Sequence, residues 1–391
     1  MYPENTKGLH GKKVKALFFI PSLDGGGAER VMTEILRNID REKIEPVLVL
    51  LCQYENSPYK ENLPEDIKVI VIERASDNLL EKIKQYAGFL KTVLNESPHI
   101  IVSMLTHCNI MSISAKLIFR KRVIISEHIA LGEAIKTKRG RRMLWFPTKH
   151  LVKVFYRFAD KIIAVSEGIR ANLVEEFNIS SRKIEVIYNP VDLKRISELR
   201  NMSVEHSFFK DEGPVILSVG RLAPQKGFDI LLKAFRRIVN DIDARLIILG
   251  EGPEKESLSR LAKDLAIEEK VSFPGFQNNP YKFLSKANVF VLSSRFEGLP
   301  LVILEAMACN TPVISTDCKS GPREILQDGT CGLLVTPEDA DALSMALLKL
   351  LKDRNLRESF SRLGTQRAED FAVKKIVAQY EDIIYRSLFP I

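Results

Sequence analysis

Two glutamates eight residues apart, Glu297 and Glu305, bracket the segment EGLPLVILE. On a helix opening near Pro300, the neighbours Leu301, Val302, Ile303, Leu304, Ala306 and Met307 leave no polar stripe, so Glu305 is expected inside the protein, where a carboxylate needs donors. Pro suits a first helical position because its missing N–H costs nothing there. Gly298 admits close approach of a backbone or ligand, and the first-turn N–H groups, from about Leu299 onward, face an anion well. At about 1.5 Å per helical residue the two carboxylates stand on the order of 10 Å apart, against about 5–9 Å for hydrolytic carboxylate pairs. That separation suits the two ends of one extended polyhydroxyl ligand with phosphate between them, a nucleotide sugar. The same residues also fit a helix with one satisfied buried Glu and a loop Glu at a strand end.

Cations stand where such a ligand would need them. Gly220-Arg221-Leu222 ends an apolar run and Gln225-Lys226-Gly227 opens the next helical pattern, so Arg221 and Lys226 leave one loop beside a helix start, an arrangement suited to a diphosphate. A solvated basic turn is the alternative. Gly250 and Phe276 also follow apolar runs, where a backbone group or ring face could hold a base, although loop glycines are common. Earlier in the chain, Ser126-Glu127-His128 follows RVII, and His128 could hydrogen-bond a sugar hydroxyl or orient an acceptor, or serve packing alone. Gly25 to Gly27, with Gly26 and Gly27 foremost, would bring backbone N–H groups to the same ligand.

The elements that must position these residues read as a doubly wound α/β series, twice over. VKALFFIPSL is a buried parallel strand, and Asp24-Gly25-Gly26-Gly27 turns into a helix through Ile39. A dinucleotide fingerprint is not met, because Arg30 takes the last glycine place and EPVLVLLCQ ends in Gln53 without a ribose-binding acid, which argues against a dehydrogenase. Further strands are expected at IKVIVIE, HIIVSML, RVIISEH, KIIAVSE and KIEVIYNP, with helices over 77–95 and 168–177. Asn189-Pro190-Val191-Asp192 ends the series, so the first domain is set at residues 1–192 and a polar linker with one short helix at 193–213. VILSVG, ARLIILG, KVSFPG, ANVFVLSS, PVISTD and CGLLV then give a second domain over 214–372, with helices over 228–239, 253–266 and 338–364. Residues 373–391 close the chain with an amphipathic helix whose apolar positions include Ile376, Val377, Tyr380, Ile383 and Ile384. Two such domains joined by a hinge make a cleft, and ligands of parallel sheets bind at the carboxyl ends of the strands.

The 391 residues, 45% apolar, suffice for two cores. No apolar run reaches the roughly 20 residues of a membrane span, and the polar start lacks a signal peptide's apolar stretch, so the reading is a cytosolic protein. Five scattered cysteines, odd in number and without a CxxC pair, indicate neither a disulfide framework nor a zinc site. The net charge of +8 is concentrated: residues 101–150 hold ten Lys or Arg against two acids and leave the remainder nearly neutral. Within residues 135–158, IKTKRGRRMLWFPTKHLVKVFYRF, cations mix with Trp145, Phe146 and Phe155, as suits an anionic membrane surface. Nucleic acid is the weaker alternative and is not expected as a partner; a solvated helix with an inward apolar face is another.

Assembled, these residues make the chain resemble the family 4 retaining glycosyltransferases. The resemblance is carried by GGGAE at Gly25 to Glu29, SEH at Ser126 to His128, IAVSEGI, YNPVD, VGRLAPQKG at Val219 to Gly227, LGEGPE, and SRFEGLPLVILEAMACNTPVIST with its Glu297-to-Glu305 spacing. It implies the GT-B fold, two Rossmann-like domains facing a central cleft, with the last helix crossing back onto the first domain. It further implies that Arg221 and Lys226 bind the diphosphate of an NDP-sugar donor, most naturally a UDP-sugar, that Glu305 binds the ribose and that Glu297 holds the transferred sugar. His128 would contact the reacting region, and Gly26 and Gly27 would approach the leaving phosphate. No metal or other cofactor is implied. The implied activity is retaining transfer of a hexose or N-acetylhexosamine to a lipid-linked or polysaccharide acceptor at the inner face of the cytoplasmic membrane. A nucleotide-sugar sensor, or an epimerase or hydrolase on the same fold, are the alternatives. Asn310 stands where the family usually has glycine; Asn tolerates left-handed backbone, so the same helix end is expected.

Overall fold

The computed structural model describes residues 13–52, 57, 59, 62–72, 78–129, 131 and 142–389, with the backbone alone for 142–148. The chain divides into two units, one running to Pro190 and resuming at Val373, the other spanning Val191–Ala372.

The first unit holds β1 (Val14–Ile20), α1 (Gly27–Asn38), β2 (Ile44–Leu50), β3 (Lys68–Val71), α2 (Leu79–Glu96), β4 (Ile100–Met104), α3 (Thr106–Phe119), β5 (Arg122–Glu127), α4 (Arg142–Phe155), β6 (Lys161–Ala164), α5 (Glu167–Glu175) and β7 (Ile184–Val186). Its parallel sheet has the order β3-β2-β1-β4-β5-β6-β7. The second unit holds α6 (Leu193–Leu199), β8 (Val215–Val219), α7 (Phe228–Ile238), β9 (Arg245–Leu249), α8 (Lys255–Asp264), β10 (Val271–Gly275), α9 (Tyr281–Leu284), β11 (Val289–Leu292), α10 (Leu301–Ala308), β12 (Val313–Thr316), α11 (Pro322–Ile325), β13 (Leu333–Val335), α12 (Ala340–Lys352) and α13 (Arg354–Ala368). Its sheet, again parallel, runs β10-β9-β8-β11-β12-β13. The thirteen strands among the described residues are those the apolar runs predict, because a sheet covered on both faces demands near-continuous apolar strands. Both sheets reverse order beside their first strand, at β1/β4 and at β8/β11. Ligands of such sheets bind outside the strand ends at that reversal.

The last helix, α14 (Val373–Leu388), belongs to the first unit, as the family resemblance implies. It packs against α1 and β5 with Ile376, Val377, Tyr380, Ile383 and Ile384 buried. The backbone N–H of Asp40 donates to Glu381 at 2.7 Å, and Arg386 pairs with Glu185 at 2.8 Å.

Two features refine the sequence reading. Residues 193–213 do not stand apart as a linker: α6 packs on α9 and α10 with Ile196 buried, and His206 lies edge-on to Phe208, Phe209 and Phe283, so burial draws the segment into the second unit. Residues 338–364, expected to be helical, form two helices, because Asp353 leaves helical geometry and its carboxylate caps α13 by accepting the Leu356 N–H at 2.9 Å. Asn310 does take left-handed backbone, φ 63°, after α10, and lets the Thr311 N–H reach back to the Ala306 carbonyl at 2.9 Å.

Candidate active site

In the second unit the loops after β8 and β11 meet at the sheet's order reversal. Lys226 Nζ donates to Glu297 Oε1 at 2.6 Å, and Ser294 Oγ donates to the same oxygen at 2.6 Å. Glu297 is buried and Lys226 largely so. With both donors on Oε1, Oε2 has no partner among the described residues and is open to a hydroxyl.

The two loops are tied by their backbones. Ser293 Oγ donates to the Lys226 carbonyl at 2.8 Å, Gln225 Nε2 to the Phe296 carbonyl at 2.9 Å, and the Arg295 N–H to the Gln225 carbonyl at 2.8 Å. Arg295 adds a two-pronged pair with Asp229, 3.0 Å at each contact. Gly227, at φ 61°, must be glycine, since a Cβ there would run into the Ser293 carbonyl oxygen. Ser320 Oγ then fixes the Glu297 carbonyl at 2.6 Å.

Glu305 is buried on α10, as its apolar neighbours require, and one donor is the Tyr281 hydroxyl at 3.3 Å. Pro300 stands at the cap position of α10, one place before the first helical residue, and no side chain caps that helix start. Gly298 and Leu299 lie buried in the approach to it. Cys318 is no nucleophile here: burial pushes its thiol up to about 12, and its Sγ donates to the Ser294 carbonyl at 3.1 Å.

The other residues singled out fare differently. Arg221 is exposed and makes no side-chain hydrogen bond among the described residues, so it is available to a ligand. Gly250 is not, because its N–H already donates to the Gly275 carbonyl at 2.9 Å and its Cα faces the Gly220 carbonyl. Its N–H therefore serves loop packing and does not hold a base. The Phe276 ring is half exposed beyond β10.

In the first unit, Gly26 caps α1 without any side-chain cap, and a Cβ there would collide with the Glu29 carboxylate; Gly27 faces open space. The Glu29 carboxylate therefore occupies the space beside Gly26, and only the Gly27 side of the α1 start is open. His128 is buried just beyond β5, its Nε2 3.0 Å from Ser126 Oγ and its Nδ1 without a hydrogen-bond partner among the described residues. Burial pulls its pKa down to about 3, so it acts as a neutral imidazole. Glu127 points into a buried polar cluster instead, accepting from the Tyr156 hydroxyl at 2.6 Å and Thr106 Oγ1 at 3.3 Å. Burial raises its carboxyl to about 7 despite those donors.

Of the basic segment 135–158, residues 135–141 lie outside the described residues; Leu151 and Val154 on α4 are exposed. Among the described residues no helix is long and apolar enough to cross a membrane.

Sequence reasoning missed Ser294 and Tyr281. Ser294 could have been found, since a serine three residues before a glutamate can reach its carboxylate. Tyr281 carries no local signal.

Comparison with known proteins identifies the family. Residues 25–195 match the family model described as Glycosyltransferase Family 4, and residues 201–367 the model described as Glycosyl transferases group 1. The chain is 33% identical, over 92% of its own length and 96% of the relative's, to the N-acetylgalactosamine-N,N'-diacetylbacillosaminyl-diphospho-undecaprenol 4-alpha-N-acetylgalactosaminyltransferase of Campylobacter jejuni. It is 28% identical, over 95% and 98% of the two chains, to an alpha-1,4-N-acetyl-D-galactosaminyltransferase of the same organism whose name specifies a GalNAc-containing diNAcBac-PP-undecaprenol. Among solved structures, Anabaena Alr3699/HepE in complex with UDP shares the fold, with a TM-score of 0.78, 21% identity, and 95% and 99% of the two chains covered.

Proposed function

Because this chain belongs to the family 4 glycosyltransferases, we propose that it moves a hexose or N-acetylhexosamine from a UDP-sugar to a hydroxyl of a membrane-associated, lipid-linked glycan precursor, with retention at the anomeric carbon. The observation that carries the donor side is the buried Lys226–Glu297 pair with one carboxylate oxygen left open. A diphosphate drawn to Lys226 places the attached sugar beside that oxygen, and Arg221 supplies a second cation from the same loop.

Charge builds on the leaving diphosphate as the glycosidic bond breaks, and fixed cations and helix-start N–H groups aimed there lower the barrier most. We assign this to Arg221, Lys226 and the start of α10, with no metal required. No side chain of the site is assigned as a covalent nucleophile. The acceptor hydroxyl attacks from the face the phosphate leaves, which takes its proton. His128, neutral, is assigned to hydrogen-bonding a sugar hydroxyl. Two relatives named for undecaprenol-linked substrates support the acceptor class, and a fold neighbour solved with UDP supports the nucleotide.

The donor assignment is tested by thermal shift over UDP-, GDP- and ADP-sugars. A UDP-sugar at about 100 times its Kd should stabilise the protein by about 2.7 kcal/mol; equal or no shift with all three would overturn it. Attachment to an anionic surface through residues 135–158 is proposed from sequence alone. Neutralising Lys138, Arg139, Arg141 and Arg142 should reduce sedimentation with phosphatidylglycerol vesicles, and unchanged sedimentation would reject it.

A further inference from the structure

Helix α3 packs against both α2 and α4, and two adjoining cavities, of about 560 and 380 Å³, share Tyr86, His107 and Met111. The larger is an apolar trough walled by Ile110, Met111, Leu151 and Phe155. The smaller reaches Pro21, Ser22 and Asp24 at the foot of the glycine loop, with Lys82 on its wall. Both flanking helices also expose apolar side chains: Leu79, Leu80 and Ile83 on α2 are 70, 66 and 54% exposed, Leu151 and Val154 on α4 40 and 53%. Large exposed apolar side chains beside a cavity mark a surface suited to binding.

The surface changes character along its length. It is hydrocarbon-like between α3 and α4 and carries a cation toward the loop that opens α1. A ligand that matches it is apolar along a chain and anionic at one end, with hydroxyls beyond the anion within reach of Asp24. We propose that this trough seats the first isoprene units of a polyisoprenyl diphosphate-linked acceptor, with its diphosphate beside Lys82 and His107 and its saccharide at the glycine loop. The assignment rests on the lipid-linked acceptor proposed above and gives that acceptor a place in the first unit.

A farnesyl diphosphate carrying a diazirine on its terminal isoprene, irradiated with the full chain in detergent, tests it. Label should map to residues 79–86, 106–114 and 151–155, be displaced by undecaprenyl diphosphate, and resist UDP and phosphatidylglycerol at the same concentration. Ile110→Glu combined with Leu151→Glu, at partly exposed positions, should lower labelling by at least about tenfold with an unchanged melting temperature. Lys82→Ala should weaken farnesyl diphosphate and leave farnesol unaffected. Label elsewhere, equal displacement by phosphatidylglycerol, or undiminished label in the double variant would overturn the assignment. Labelling is read without sugar transfer, so an enzyme that glycosylates a lipid-linked acceptor yet is labelled elsewhere loses this trough and keeps its function. A labelled trough without transfer does the reverse.

Discussion

Lys226→Ala is expected to lower kcat/KM for sugar transfer by about 10²–10³-fold, the usual cost of removing one preorganised donor from developing charge. Its ammonium is already held 2.6 Å from Glu297 in a largely buried site, so no reorganisation is needed when the diphosphate departs. The substitution strands the Glu297 carboxylate with Ser294 as its remaining donor, and breaking a buried pair this way destabilises a protein by up to about 3–5 kcal/mol. Lys226→Ala combined with Glu297→Ala removes both charges. The double variant should regain much of the melting temperature and none of the turnover, because the two residues act on one ligand and their losses do not add. Restored turnover in the double variant, or near wild-type transfer by either single variant, would mean that the pair serves folding alone.

If Glu305 holds the donor ribose, as the family resemblance implies, Glu305→Ala is expected to raise the donor KM by about 10²-fold with a smaller change in kcat, since hydrogen bonds to a charged group are worth about 1.5–3 kcal/mol each and such a contact would be made equally before and during reaction. The substitution also leaves the buried Tyr281 hydroxyl without this acceptor, so stability falls independently of the ligand. Tyr281→Phe separates the two effects: it removes the same bond but leaves the carboxylate for the ribose, and its donor KM should stay within a few-fold of wild type, roughly. A 2′,3′-dideoxy donor gives the reciprocal control, binding the wild type poorly and discriminating little between wild type and Glu305→Ala. A wild-type enzyme indifferent to the missing hydroxyls would remove Glu305 from the nucleotide.

The sheets were legible because burial on both faces writes each strand as an apolar run, and parallel order follows from the alternation of those runs with helical patterns. The buried position of Glu305 was legible for a related reason, a helix apolar on every side. Pairing between Lys226 and Glu297 was not: they are 71 residues apart, and only the β8/β11 adjacency brings their loops together. For Gly250 the sequence shows a glycine after a strand and cannot say whether it faces a ligand or, as here, the Gly220 carbonyl. The break at Asp353 was masked by apolar residues that continue at helical spacing on both sides of it, while a side-chain cap decides the boundary. Residues 193–213 look polar enough for a linker, and the aromatic cluster around His206 that anchors them draws on Phe283, far along the chain.

The central claim is glycosyl transfer from a nucleotide sugar to a lipid-linked acceptor, and the most direct measurement follows the label of a radioactive UDP-N-acetylhexosamine or UDP-hexose given with an undecaprenyl diphosphate-linked N-acetylhexosamine. The account predicts label in the organic phase in step with UDP release, an α-linked product from an α-linked donor, and neither signal with Lys226→Ala. Label that appears only as free sugar in water, or UDP-sugar that is bound and never consumed, would contradict it.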